Sequence, residues 1–109
     1  MARTRTYSPA TLDAAGLLGS RIRLARRERH MTLQELADRV GVTHVTMRNV
    51  ERGDPRVGLG VAFEAAAIAG VPLFSEDAAR LALEQRHVED RLAVLPRAVR
   101  RSEDPDDAF

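Results

Sequence analysis

Apolar residues recur along this chain at helical spacing, and glycine, proline and threonine interrupt them at regular intervals. Ser8-Pro9 is a helix start, with serine as N-cap and proline in the first helical position. Behind it Leu17, Leu18, Ile22 and Ala25 fall on one face, predicting a first helix that runs to about Arg29. Gly16 and Gly19 weaken its early part and predict a break there. Thr32-Leu33-Gln34-Glu35 is a capping box, in which Thr32 caps the helix and Glu35 reaches back. A second helix then spans Leu33 to Val40 and stops at Gly41, a position that calls for positive φ. Thr43 caps a third helix from His44 to about Arg52, ended by Gly53 and an Asp54-Pro55 turn. A fourth runs from about Leu59 to Ala69, with Gly70 at its end and Pro72 beyond. Ser75-Glu76-Asp77 opens a fifth helix, placing a cap and two acids where the helix dipole favours them, and Pro96 ends it after about Leu95. No period-two alternation predicts a strand, so the expected fold class is all-α with five helices.

The pattern divides the chain into residues 1–8 as a flexible arm, 9–73 as the main domain and 74–101 as a helical extension. Residues 102–109 form an acidic tail of disordered composition, with Glu103, Asp104, Asp106 and Asp107 around Pro105. With 44% hydrophobic but only 4% aromatic residues, the core must be built from aliphatic side chains and methionine. Cysteine is absent, which excludes a disulfide framework and a thiolate metal site. No apolar run approaches the ~18–20 residues of a membrane span, and no signal peptide is evident, so the expected location is the cytoplasm, in association with the nucleoid. The net charge of +1 conceals an asymmetry. Residues 1–60 carry eleven arginines against six acids, while residues 61–109 carry six against ten. A basic front half suits a polyanionic partner.

The second and third helices with Gly41 between them carry the functional signal. Leu36, Ala37, Val40, Val42, Met47 and Val50 form the apolar seam of the pair, and Ala37 is small where two helices cross closely. That seam leaves Thr43, His44, Thr46, Arg48 and Asn49 on the outer face of the third helix. Arginine can bond guanine O6 and N7, asparagine adenine N6 and N7, and threonine a polar base edge or a thymine methyl. Such a face belongs in the major groove of double-stranded DNA.

These residues resemble a known family. Met31-Thr32-Leu33-Gln34-Glu35-Leu36-Ala37, Val40-Gly41-Val42-Thr43, Thr46-Met47 and Val50-Glu51-Arg52-Gly53 fall in register with the phage-repressor and Cro type of helix-turn-helix, the XRE family, over about residues 18–73. The resemblance implies a lambda-repressor-like DNA-binding domain with an extended C-terminal helix. It implies base-facing roles for Thr43, His44, Val45, Arg48 and Asn49. It assigns phosphate contacts to Arg52 and to the start of the second helix, where Thr32 and Gln34 lie. Members of the family usually have glutamine directly after the capping threonine; this chain has Leu33 there and Gln34 next. The general layout is further similar to HipB-type antitoxins, which implies a homodimeric repressor of its own toxin–antitoxin operon that also binds a HipA-like toxin kinase. The alternative is a stand-alone XRE-type regulator.

Other features leave two readings each. The fifth helix carries Leu81, Val88, Leu92 and Leu95 on one stripe, for dimerisation or for packing on the chain's own first and fourth helices. Arg26, Arg27 and Arg29 either contact phosphate or form a solvated C-terminal helix end. The acidic tail, ending in Phe109, either solubilises the chain or grips a basic surface. His30, His44 and His87 have no ligand-spaced neighbours, so no metal and no cofactor are expected. No phosphate loop, nucleophile setting or His/carboxylate cluster is present, and the protein is expected not to be an enzyme.

Overall fold

A computed structural model describes residues 6–99. Its elements are five helices: α1 Pro9–Glu28, α2 Leu33–Val40, α3 His44–Glu51, α4 Leu59–Ala69 and α5 Ala78–Ala93. The all-α expectation is met. The chain divides into two compact units, residues 1–73 and residues 74–109. The basic arm at residues 1–5, the acidic tail at 102–109 and Phe109 lie outside the described residues.

The first unit is built on α1 to α4. Ser8 caps α1 by accepting from the Thr11 amide, with Pro9 in the first turn. The capping box of α2 is complete: the Thr32 hydroxyl accepts from the Glu35 amide at 3.0 Å, and the Thr32 amide donates to Glu35 Oε1 at 2.8 Å. Gly41 ends α2 at φ 88°, and Gly70 ends α4 in the same left-handed region at φ 89°. Thr43 caps α3 by accepting from the Thr46 amide. Each end therefore satisfies part of the backbone that a helix terminus leaves without a partner.

The core gathers Ile22 of α1, Leu36 and Ala37 of α2, Met47 and Val50 of α3, Ala65, Ala66 and Ala69 of α4, and Val71. Helix α4 packs against both α1 and α2, and α3 packs against α1 and α2. Ala65, Ala66 and Ala69 are small enough to let α4 lie close to both neighbours. Val40 and Val42, expected in the seam, are half-buried against this core.

Three expectations about α1 and α5 are corrected. Helix α1 does not break at its glycines. Gly19 instead sits where α1 meets the end of α3, and a Cβ there would stand 2.5 Å from the Val50 carbonyl oxygen. A Cβ on Gly53, at φ 77°, would stand 2.5 Å from Gly16 Cα. The missing side chains let two backbones touch, and that contact outweighs the propensity cost of glycine in a helix. Leu17 is half exposed and is not a core residue, because it points away from the face that Ile22 buries. The cap of α5 is Asp77, which accepts from the Ala79 amide at 2.9 Å, while Ser75 accepts from the Asp77 amide one step earlier. Helix α5 therefore starts later than its sequence pattern suggested and ends at Ala93, and no acid lies in its first turn. None of its residues is buried.

Candidate nucleic-acid interface

The geometry of α3 follows from what its two sides must do. Met47 and Val50 are buried, so the opposite side faces outward. That side carries Val45, 61% exposed, and Arg48, with His44, Thr46 and Asn49 half-buried at its edges. The Thr43 hydroxyl accepts from the Thr46 amide and donates to Thr46 Oγ1 at 3.0 Å. His44 Nδ1 lies 3.4 Å from Arg48 Nη2, one helical turn away. The Asn49 side chain makes no hydrogen bond among the described residues, so its amide is free to donate and accept.

Thr32 and Gln34 are exposed at the start of α2. Thr32 is committed to its capping box, and Gln34 Nε2 donates to Asp38 Oδ1 at 2.8 Å. Leu33 turns towards the core and packs against it. Arg52 is the exposed C-cap residue of α3.

The four basic residues at the end of α1 have separate fates, which the sequence did not distinguish. Arg26 is not solvated; its guanidinium is committed within the fold. It is buried, with Nε 2.6 Å from Glu51 Oε2, Nη2 3.0 Å from Glu51 Oε1 and Nη1 2.8 Å from the Met31 carbonyl. The hydrogen bonds to Glu51 hold the Arg26 guanidinium above its ordinary pKa against the opposing effect of burial. Arg29 donates from Nη1 to the Ile68 carbonyl at 3.2 Å, covering the C-terminal end of α4 beside Gly70. Arg23 and Arg27 remain exposed.

A second ion pair, also unread in the sequence, fastens the turn after α3. Arg56 donates to Asp54 through its backbone amide, Nε and Nη2, at 2.9, 3.0 and 2.9 Å. This clasp stands beside Thr46 and Asn49, in an open cleft of 420 Å³ that Val57, Gly58 and Val61 complete. The side-chain and backbone hydrogen bonds from Arg56 lower the Asp54 pKa to about 2. A depressed carboxylate contributes above its unfolded value and loses that contribution as pH falls through the folded one. The carboxylate resonance of Asp54 is therefore expected to titrate near pH 2, and the Arg56→Gln variant to return it towards the ordinary aspartate range near 4. An Asp54 midpoint unmoved by Arg56→Gln would refute the assigned cause.

No group of His, Asp and Glu that could hold a metal ion exists among the described residues. No helix among them is long and apolar enough to cross a membrane.

Residues 22–74 match the helix-turn-helix family. No curated protein sequence matches the chain significantly. Solved structures similar in fold include a HipB variant in complex with the O2 20-mer, at 23% identity and TM-score 0.50, covering 71% of this chain and 99% of that one. A HipA–HipB–O2–O3 complex matches at 22% identity and TM-score 0.50, covering 70% and 99% of the two chains. A structure named MDT protein matches at 24% identity, with the same TM-score and coverages. The capped pair α2–α3 and the glycine turn between them form a helix-turn-helix, in agreement with the family match over residues 22–74 and with the fold shared with the HipB structures.

Proposed function

We propose that the protein is a sequence-specific transcriptional repressor that lays α3 in the major groove of operator DNA. The observation that carries this reading is the division of α3. One side is locked into the core by Met47 and Val50, and the other offers Arg48, Asn49, Thr46 and Val45 to a partner. Their donors, acceptors and methyl groups match the edges of bases. His44 and Thr43 stand at the start of the helix, the end that enters the groove in this motif. Arg52, Thr32 and Gln34 flank it as candidates for the phosphate backbone.

The finer reading is an antitoxin. The chain shares its fold with HipB, which has been solved in complex with HipA. By that likeness the protein binds a HipA-like toxin kinase and acts on DNA as a homodimer. The exposed Leu81, Val88 and Leu92 of α5 supply apolar surface for a second copy.

The test begins with selection of binding sites from a random duplex library. Arg48→Ala and Asn49→Ala are each expected to cost ~1–3 kcal/mol on the selected site and much less on random duplex. Equal losses on both would make these residues backbone contacts and overturn base reading. Failure of the wild type to enrich any sequence would overturn the function itself. Recovery of the tagged protein from its native cells separates the finer readings. A stoichiometric kinase-like partner supports the antitoxin, and recovery with DNA alone supports a stand-alone regulator.

A further inference from the structure

We infer that the hollow between α1 and α3 seats one backbone phosphodiester of duplex DNA, with Arg23 and Arg27 of α1 as its principal ligands. The inference rests on the DNA-binding reading and extends the interface to a helix outside the helix-turn-helix pair.

The hollow encloses 260 Å³ and is lined by Arg23 and Arg27 from one side, Arg48 and Arg52 from the other, and the Arg26–Glu51 pair and Leu33. Arg23 and Arg27 are four residues apart on α1, and Arg48 and Arg52 are four apart on α3 and its cap. Side chains at that spacing are neighbours on a helix surface, and like charges there destabilise it. Two such arginine rows therefore face one opening. Glu51, the carboxylate among the lining residues, is already held by both prongs of Arg26. Arg23, Arg27 and Arg52 form no ion pair among the described residues, and Arg48 meets only His44. Four guanidinium groups thus stand without counter-charge around an open recess with room for an anion. An oxyanion with several acceptor oxygens satisfies such forks bidentately.

Two details point to a nucleic-acid phosphate as the source. Arg48 belongs both to the outward side of α3 and to the hollow, so a duplex held by α3 brings its backbone to this opening. Leu33 occupies the first position of α2, where its side chain packs on the core and offers a phosphate no polar group. The arginines of α1 supply from the neighbouring helix what that position lacks.

The experiment compares the full-length wild type with the double variant Arg23→Gln/Arg27→Gln. Both residues are exposed, so the variant is expected to fold, with a melting temperature unchanged or raised at low salt. Affinity is measured between about 50 and 200 mM salt on the selected site and on an unselected duplex. The expected result is a loss of affinity of similar size on both duplexes, and a salt slope shallower by about one for each protomer bound. Melting temperatures of both proteins are also compared in inorganic phosphate and in chloride at matched ionic strength. Identical slopes for variant and wild type, with the wild type binding DNA, overturn the inference and leave the function standing. Identical slopes with phosphate stabilising only the wild type assign the hollow to a free anion and overturn the DNA source. A wild type that binds neither duplex overturns the function, and this inference with it.

Discussion

Replacement of Glu51 by alanine is expected to destabilise the first unit by about 3–5 kcal/mol. The substitution leaves Arg26 charged, buried and without its carboxylate, while the hydrogen bond to the Met31 carbonyl satisfies only one of its nitrogens. The melting temperature should fall by well over ~10 °C. The pair also ties three places together: the end of α3, the last turns of α1 and the connection into α2. Truncation at Glu51 is therefore expected to weaken DNA binding without any lost contact to DNA. The double replacement Arg26→Met/Glu51→Leu removes both charges and keeps apolar volume. It should recover most of the stability, because desolvating an ion pair consumes much of what the pair returns. Denaturant titrations of the three variants decide the matter. A cost below ~1 kcal/mol for Glu51→Ala would show that water reaches the pair and that its burial has little energetic weight.

The second large effect concerns ionic strength. If six or more phosphates are contacted across a dimeric complex, affinity for operator duplex should fall at least ~1000-fold between about 50 and 200 mM salt. The cause is the release of counterions condensed on DNA, which grows with the number of phosphates neutralised. Fluorescence anisotropy across a salt series measures it directly. A response flat within about threefold would exclude an arginine-led contact with the backbone and, with it, the groove-docking mechanism.

The helices α2 to α4 and their ends were legible because they rest on local chemistry. Thr32 with Glu35, Gly41, Thr43 and Gly70 act within a few residues of themselves, and sequence order displays them. The outward side of α3 was legible for the same reason, since the spacing of Met47 and Val50 already determines which side is left over. What escaped was non-local. Arg26, Arg27 and Arg29 are alike in a row of letters, and only the arrival of Glu51 and the end of α4 separates the buried one and the capping one from the free one. Gly16 and Gly19 read as weak points because their partners, Gly53 and the Val50 carbonyl, lie more than thirty residues away. Arg23 drew no notice because its significance depends on a second arginine row from another helix. The Asp54–Arg56 clasp spans two residues and was within reach, but the proline between them reads first as a turn.

The glycine contacts between α1 and the end of α3 have a mechanical consequence. Side chains that separate two helices can change rotamer, and the gap between those helices drifts with them. Here main chain rests against main chain, at Gly19 with the Val50 carbonyl and at Gly16 with Gly53, and a peptide backbone has no rotamer to change. The spacing of the two helices behaves as a machined stop rather than a cushioned one. On the proposed function, α3 set against such a stop keeps its calibration when the aliphatic core around Ile22 and Met47 is varied. Core substitutions in this protein should then shift its melting temperature long before they shift which sequence it prefers.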